Sequence, residues 1–319
     1  MMAELLVIVL KVLVVLAAFL LLPLLVGQLE HKAMAHMQSR LGPMYAGGFH
    51  GWAQLVADGV KFVQKGEVVP AAADRAVYQL APAVALLPYL LVLAVVPVGP
   101  GAVASTLDLG LFFALAVTGI GVVGMLMAAW ASANKYSLIG GLRGAAQLLA
   151  YELPLVLAAV SPAMAAGTLS LTGIVQAWRP WWLLWQLPAA VVFFVAGLAE
   201  IRRPPFDMPI ADSELVFGYL TEYSGLRFAL FILAEYAGIV VISALTAVLF
   251  LGGWKGPLLP GPVWTLIKVI ALSFVVIWLR VTYPRLREDQ LQKLAWLGLV
   301  PVALAQLVLT GVVAVAVAS

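Results

Sequence analysis

Long apolar runs alternate with short charged ones along the chain, and this alternation is its strongest structural signal. A helix that crosses a bilayer needs about 20 consecutive, mostly apolar residues. Eight segments meet that requirement: about 5–29, 77–98, 109–133, 145–166, 181–200, 228–251, 262–280 and 294–318. The pattern predicts an all-α integral membrane protein with eight transmembrane helices in a single polytopic domain, residues 1–319.

The first apolar segment predicts an uncleaved anchor rather than a signal peptide. Its apolar stretch after Lys11 is longer than a signal sequence requires, and it runs directly into Glu30-His31-Lys32. Ala33-Met34-Ala35 has the small residues of a cleavage site but lies beyond those charges. The charges therefore favour the anchor.

Residues 50–65 have a different, amphipathic period. Trp52, Val56, Val60 and Val63 are among the residues of one helical face, and polar residues such as Asp58 fall on the other. This is typical of a helix that lies flat at the membrane surface. On its own the pattern favours a simple interfacial anchor. The alternative is a helix that covers the path by which an amphiphile enters between lipid and an aqueous partner.

Composition supports a lipid environment and narrows the chemistry. The chain is 64% hydrophobic and 10% charged, against about half and about a quarter in ordinary globular domains. It has no cysteine, which excludes disulfides and cysteine-ligated clusters from this chain. His31, His36 and His50 lack the spacing of a metal site, and the net charge of +3 gives no reason to expect a nucleic-acid partner.

The distribution of charge predicts the orientation. Eight spans place both termini on one side of the membrane. If that side is the outside, the inner connections are 30–76, 134–144, 201–227 and 281–293. With Arg280 at their border, they account for fourteen of the 18 lysines and arginines. Such a bias fixes orientation, so both termini are expected on the outer side. Ten of the 15 acidic residues also lie in these connections, which places the chemistry or the docking on the inner side.

Two carboxylates, Glu152 and Glu235, fall within apolar spans. A charge at the centre of a span costs about 2.5–3.5 kcal/mol on insertion scales and usually faces the protein interior. For Glu152 the simple alternative is an ion pair with Arg143 or Lys135. Several carboxylates near one face favour a proton relay instead.

The connection 201–227 is acidic and rich in proline. Pro204, Pro205 and Pro209 are incompatible with a regular helix. The alternative is a solvent-exposed linker, but exposure of the apolar side chains of Phe206 and Phe217 to water would be unfavourable. We therefore expect this loop to line a polar cavity or to dock on a soluble partner.

The same loop carries a resemblance to a known family. Residues 199–225, AEIRRPPFDMPIADSELVFGYLTEYSG, closely resemble the signature AExxRxPFDLPEAESELVxGFxTEYSG of the NuoH family, the quinone-site membrane subunits of respiratory complex I. Further blocks resemble the family in the same order: EHKAMAHMQSRLGP, QLVADGVKFVQKGEVVPAAADRAVYQLAP, NKYSLIGGLRGAAQLLAYELPL and RVTYPRLREDQLQKLAW. The resemblance covers essentially the whole chain.

The resemblance implies a subunit of a proton-pumping NADH:quinone oxidoreductase in a bacterial inner membrane. Its substrate would be a quinone, ubiquinone or menaquinone, which enters through a tunnel shared with soluble quinone-site subunits. NADH, FMN and iron–sulfur clusters would bind elsewhere in the complex. Small membrane subunits and antiporter-like subunits would lie alongside and carry the pumping.

The resemblance also assigns roles residue by residue. The implied acidic proton route consists of Glu152, Asp207, Asp212, Glu214 and Glu222. Arg143, Arg202, Arg203 and Arg287 match basic positions that orient or neutralise this route. Arg40, Asp58, Lys61 and Phe228 are the candidates for the entrance of the quinone tunnel. Clustered carboxylates of raised pKa can store and pass the two protons that a reduced quinone acquires.

The chain departs from the family pattern at several positions. Ile210 replaces a glutamate, which removes one carboxylate from the implied route, and His31 stands where arginine is usual. One alternative is the related membrane subunit of an energy-converting hydrogenase or ferredoxin-linked complex. The intact PPFD and TEYSG blocks favour the quinone branch. A stand-alone secondary transporter would have inverted repeats, which the sequence does not show.

Overall fold

A computed structural model describes the backbone of residues 2–318 and the side chains of residues 4–211 and 214–316. The described chain is helical throughout, and its only β pairing is an isolated bridge between Gly99 and Ala102. The prediction of an all-helical membrane protein is therefore confirmed. In chain order the α-helices are α1 (Met2–Met37), α2 (Gln54–Gln64), α3 (Arg75–Val95), α4 (Gly110–Ala131), α5 (Lys135–Ala166), α6 (Leu171–Ala177), α7 (Trp182–Trp185), α8 (Leu187–Glu200), α9 (Asp212–Leu215), α10 (Gly225–Phe250), α11 (Gly261–Thr282), α12 (Glu288–Lys293) and α13 (Val300–Ala318).

Seven helices of the described chain are long and apolar enough to cross a membrane. They are α1, α3, α4, α5, α10, α11 and the continuous helix formed by α12 and α13. The remaining predicted segment, 181–200, is the fifth in chain order, and it is divided at Gln186 into the short α7 and the 14-residue α8. At about 1.5 Å per residue, α8 alone measures about 21 Å, which is shorter than the bilayer core.

The centre of the bundle is α10. Every residue from Ala237 to Phe250 is buried, and α10 contacts α1, α2, α3, α8 and α11. Helix α4 packs between α3 and α5. At the α3–α4 crossing, a Cβ on Gly124 would lie 2.4 Å from the backbone nitrogen of Ala85. A small residue is required there because it allows the two backbones to approach closely.

Several helices extend beyond the predicted apolar segments. α1 continues past Glu30 to Met37, and α5 begins at Lys135, where the Asn134 side chain accepts a hydrogen bond from the Tyr136 amide. The last helix begins at Glu288 and includes a π-helical turn, Leu294–Leu299. The charged ends of these helices thus project toward the 201–224 loop, where the candidate site lies.

Candidate functional site

The acidic loop after α8 is seated on the side of α5. The buried Gln147 amide donates to the carbonyls of Ala199 and Phe206, at 2.7 Å each. Gly218 has φ +55°, and a Cβ there would lie 1.7 Å from the carbonyl oxygen of Pro209. Glycine is required at this contact by both its conformation and its size. The loop is therefore fixed against a transmembrane helix and is not a free linker.

A buried ion network joins this loop to three helices. Arg203 is 2% exposed, and its guanidinium lies 3.0 Å from Glu30 of α1 and 2.9 Å from Glu235 of α10. Glu30, 1% exposed, also accepts a hydrogen bond from Arg280 of α11. Burial alone would lower the pKa of Arg203, but the carboxylates of Glu235 and Glu30 outweigh it and the pKa rises. Arg203 therefore stays charged, because burial of a charge is tolerated when it is paired.

A charged cavity of about 180 Å³ opens beside this network. Arg202, largely buried, stacks its guanidinium over the Tyr219 ring at 5.4 Å. Ile210 places an aliphatic side chain among these charges. The lining residues are Arg202, Arg203, Pro204, Asp207, Ile210, Phe217, Leu220, Ile232, Glu235, Tyr236 and Arg280.

A second, more open cleft of about 530 Å³ adjoins the charged cavity. Asp207 connects the two, because it lines the cavity while its carboxylate lies 2.6 Å from Nε of Arg285, which lines the cleft. Glu214 also lines the cleft and accepts a hydrogen bond from Arg143 of α5. That hydrogen bond and the positive charge of Arg143 lower the pKa of Glu214. Both carboxylates are thereby held beside a cation at an accessible surface.

The remaining carboxylates of the predicted route lie apart from these two cavities. Glu222 accepts a hydrogen bond from the Asn134 amide at the start of α5. Glu152, on α5, is exposed on the surface of the bundle and makes no ion pair or hydrogen bond with any described residue. The carboxylate of Glu152 lies close enough to that of Glu200, at the end of α8, for the two to repel each other. The side chain of Asp212 lies outside the described residues.

An apolar slot of about 220 Å³ lies between α1, α2 and α10. Asp58 of α2 and Tyr236 of α10 supply its polar groups. The other lining residues are Leu20, Pro23, Leu24, Leu55, Gly59, Phe62, Ala229, Ile232 and Leu233. Val56, Val60 and Val63 of α2 face away from the slot and are exposed. α2 thus turns Leu55, Asp58 and Phe62 toward the bundle and presents an apolar face to its surroundings.

Three of the four predicted entrance residues line an opening of about 500 Å³ next to this slot. These are Asp58, Lys61 and Phe228, and they are joined there by His31. Phe228 also lies between Phe62 and Phe217, with ring centroids 5.7 and 5.9 Å away. The fourth candidate, Arg40, does not line these cavities; its side chain is exposed and donates to Gln38.

Two residues of α10 are common to all three spaces near α2. Ile232 and Tyr236 line the apolar slot, the opening beside it and the charged cavity. The Tyr236 ring also lies under the Arg203 guanidinium, at 4.7 Å. The slot and the ion network are therefore adjacent and share side chains.

The structure separates the four predicted basic residues. Arg143 contacts a route carboxylate, whereas Arg203 contacts Glu30 and Glu235, and Arg202 stacks on Tyr219. Arg287, the residue before α12, is 83% exposed and pairs with Asp289 in the first turn of that helix, at 3.3 Å.

Sequence reasoning did not select Glu30, Arg280 or Arg285 as site residues. Both arginines belong to the RVTYPRLRE block (280–288), which resembles the family. Their spacing alone does not show which side chain contacts the 201–224 loop.

Among the described residues, no group of three or more His, Asp or Glu side chains is arranged to hold a metal ion. The fold and the site together define a polytopic helical membrane protein that combines an apolar slot with a buried ion network.

Comparison with known proteins places this class of protein in a family. The family model for NADH dehydrogenase matches residues 10–311. The chain is 46% identical to an H subunit of NADH-quinone oxidoreductase, the copy numbered 2, of Syntrophobacter fumaroxidans, across 97% of this chain and 96% of the relative. It is 45% identical to the H subunit of Geobacillus kaustophilus, across 89% and 87%, and 44% identical to the second H subunit of Rhizobium meliloti, across 96% and 97%. The chain belongs to this NADH dehydrogenase family, whose cited members are all named as H subunits of NADH-quinone oxidoreductase.

Proposed function

We propose that this chain is the quinone-channel membrane subunit of an NADH-quinone oxidoreductase in a bacterial inner membrane. The names of its relatives support the enzyme and the class of assembly. The single observation that supports the role of this subunit is the position of Ile232 and Tyr236, which line both an apolar slot and a charged interior cavity.

The slot fits the tail of a quinone. Its walls are mostly leucine, isoleucine, proline and phenylalanine side chains of α1, α2 and α10, and an isoprenoid chain is favoured there over water. Asp58 lies at its inner edge, where it accepts a hydrogen bond from Gln54 and lies 3.8 Å from Lys61. A tail in the slot leaves the headgroup near Asp58 and Lys61, toward a soluble partner that closes the site.

The charged cavity fits the second part of the role, the supply and coupling of protons. Reduction of a quinone to a quinol consumes two electrons and two protons. The electrons arrive from centres in other subunits. The carboxylates of Glu235 and Asp207 line the cavity and that of Glu214 lines the cleft, and together they form the proposed path for these protons.

Glu152 and Glu200 extend this route toward the edge of the bundle. Glu152 is exposed at mid-helix on α5, and an intramembrane carboxylate that faces outward requires a polar partner. An adjacent, antiporter-like membrane subunit supplies that partner in the proposed assembly. The cleft of Arg143, Glu214 and Arg285 offers the charged surface for the soluble, cluster-bearing subunits.

The proposal includes eight membrane crossings with both termini on the outer side. The remaining crossing is formed by α7 and α8 together. One residue separates these two helices, and the pair covers residues 182–200. The bias of positive residues toward the α2 and 201–224 side supports this orientation.

Co-purification tests the proposed function. The chain is tagged at its C-terminus, membranes are solubilised gently, and the eluate is assayed for NADH oxidation by a soluble quinone with and without a tunnel-blocking inhibitor. The proposal predicts a large assembly with inhibitor-sensitive activity. A large assembly with nickel–iron hydrogenase subunits and no such activity would support the hydrogenase-type alternative, and a chain that elutes alone would overturn the assignment.

A further inference from the structure

A separate basic cavity lies at the end of the bundle opposite the acidic loop. It opens where α10 ends at Phe250, where α11 begins at Gly261, and beside the segment that precedes α7. Its volume is about 620 Å³. The acidic loop instead precedes α10 at Gly225, so the length of α10 separates this cavity from the site described above.

Three cations line this cavity: Arg179, Lys255 and Lys268. Lys268 is oriented by three backbone carbonyls, those of Leu251, Gly253 and Lys255, each at 2.7 Å. These three bonds use all three N–H groups of its ammonium. Lys268 is therefore a fixed positive charge in the wall of the cavity.

Lys255 and Arg179 retain unused donor capacity. Lys255 donates to the carbonyls of Gln176 and Trp178, at 2.8 and 2.7 Å, which leaves one N–H group. The side chain of Arg179 makes no hydrogen bond or ion pair with any described residue. Burial, with the like charge of Arg179 nearby, lowers the pKa of Lys255. Both groups are thus positioned to donate to an external anion.

No acidic side chain is among the described residues that line the cavity, so the three positive charges are not neutralised there. This contrasts with the opposite end of the bundle, where Arg143, Arg203 and Arg285 each contact a carboxylate. A cluster of like charges without a counter-ion is unfavourable unless an anion binds. The arrangement favours the binding of an anion.

The rest of the lining is apolar and aromatic. Trp178, Leu183, Leu251 and Trp264 contribute to its walls. Next to it, Trp181 is half exposed and stacks on Trp185, with ring centroids 5.6 Å apart. Tryptophan is enriched where membrane meets water. The cavity therefore lies at the depth of lipid headgroups, with cations directed toward the phosphate level and apolar walls suited to acyl chains.

We propose that this cavity binds one anionic phospholipid of the leaflet on that side, with its phosphate between Arg179 and Lys255 and its acyl chains along the Trp178, Leu183 and Trp264 walls. Three uncompensated cations favour an anionic headgroup over a zwitterionic one. The apolar walls favour a lipid over free phosphate. The site is independent of the quinone slot and of the 201–224 loop.

Photo-cross-linking tests this site in membranes that contain the chain in its native assembly. The probe is phosphatidylglycerol with a diazirine in one acyl chain, and the readout is the yield of cross-linked peptides from 178–187 and 251–266. The double variant Arg179→Gln/Lys255→Gln is expected to lower that yield by about tenfold, since two charge-assisted hydrogen bonds are lost. Lys11→Gln is the matched control, because Lys11 is a cation at the same end of the bundle that contacts Ala104 and does not line the cavity. The yield in this variant should equal that of the wild type.

Competition distinguishes the sources of the anion. Excess unlabelled phosphatidylglycerol should remove the cross-links, and phosphatidylcholine or inorganic phosphate should not. Equal cross-linking in the double variant, equal competition by phosphatidylcholine, or displacement by inorganic phosphate would each overturn the proposal. Retention of Arg179→Gln/Lys255→Gln in an assembly of unchanged size and quinone-reductase activity excludes misfolding as the cause of a loss.

Discussion

Asp207 and Arg285 form an ion pair, 2.6 Å between Oδ1 and Nε, at the boundary between the charged cavity and the open cleft. A further contact runs from Nη2 of Arg285 to the Asp207 backbone carbonyl, at 3.3 Å. Each side chain is about one quarter exposed. The pair connects the loop after α8 to the segment before α12, so a change in the charge of Asp207 alters the contact between these two parts of the chain.

Removal of either partner of this pair should impair turnover. In the proposed enzyme we expect Asp207→Asn and Arg285→Gln each to lower inhibitor-sensitive quinone reduction by about tenfold, a change of about 1.4 kcal/mol in the barrier. The double variant should be no worse than the poorer single variant, because contacting residues are not additive. Arg75→Gln is the matched control, since Arg75 is exposed at the start of α3 and lines neither the cavity nor the cleft; its activity should stay near that of the wild type. Additive losses in the double variant would contradict a functional pair.

A carboxylate restored at position 210 should affect pumping rather than electron transfer. Ile210 lines the charged cavity together with Asp207, Arg202 and Arg203, so Ile210→Glu adds an acid where cations can stabilise its charge. We expect quinone reduction to stay within about twofold of the wild type, a change below about 0.5 kcal/mol in the barrier, and the number of protons moved per electron to stay equal or rise. Both quantities are measured in proteoliposomes, with Ile210→Gln as the neutral control of the same size. A large loss of electron transfer in Ile210→Glu alone would place this side chain in the quinone path instead.

The Arg143–Glu214 pair should give a defined pH dependence of stability. Arg143 lowers the pKa of Glu214 from its ordinary 4.5, so the folded protein holds the proton less tightly than the unfolded chain. The stabilisation of the folded state by this pair is therefore complete above pH 4.5, and it is lost as pH falls through the lowered pKa of Glu214 in the folded protein. Glu214 is half exposed, which limits the contribution to less than about 1 kcal/mol.

Thermal unfolding of the purified assembly measures this effect. The difference between wild type and Arg143→Gln should be constant from about pH 7 to 5 and should shrink below the ordinary carboxyl pKa. Arg287→Gln removes an equal charge from an exposed pair and serves as the control. A difference that grows as pH falls would have the wrong sign for this pair.

A bulky residue in the apolar slot should discriminate between long and short quinones. Ala229 lines the slot on α10, and Ala229→Trp fills the space that the tail occupies. We expect KM for a long-tailed quinone to rise by about tenfold or more, which corresponds to about 1.4 kcal/mol of lost binding. KM for a short-tailed quinone should change much less. Leu226→Trp, one turn earlier at an exposed position outside the slot, is the control. An equal rise for both quinones would indicate general damage to the fold.

Single cysteines test the eighth crossing, because the natural chain has none. Gln176→Cys and Leu258→Cys lie at exposed positions near the basic cavity, and Val216→Cys is exposed on the acidic loop. Eight crossings predict that an impermeant maleimide labels the first two from outside the cell and Val216→Cys only after permeabilisation. Labelling of Gln176→Cys and Val216→Cys from the same side would show that α7 and α8 do not cross.

The sequence predicted the helical membrane architecture well because apolar length is a local property. It also located α2, since its polar and apolar residues alternate with a helical period over Gln54–Gln64. The broken helix at Gln186 was less visible. The apolar run continues through it, while Gln186 is buried and accepts a hydrogen bond from Ser161 of α5. A polar tertiary contact of this kind leaves no periodic signal.

The ion network could not be assembled from the sequence, because its members are far apart along the chain. Glu30 pairs with Arg203 and Arg280 only after α1, the loop and α11 converge. Glu235 was recognised as an intramembrane carboxylate, but its partner could not be named. Similarly, Arg285 and Arg287 are two residues apart, and only the packed segment before α12 shows that Arg285 turns toward Asp207.

Photolabelling with a quinone tests whether the space lined by Ile232 and Tyr236 admits a quinone. A long-tailed quinone with a photoreactive group in its tail is irradiated in membranes that contain the native assembly, and the cross-linked peptides are identified. We expect labelling within 55–62 of α2 and 229–236 of α10, and we expect excess unlabelled quinone to remove it and Ala229→Trp to reduce it. Labelling that falls elsewhere on the chain, or that excess quinone does not displace, would contradict the proposed channel.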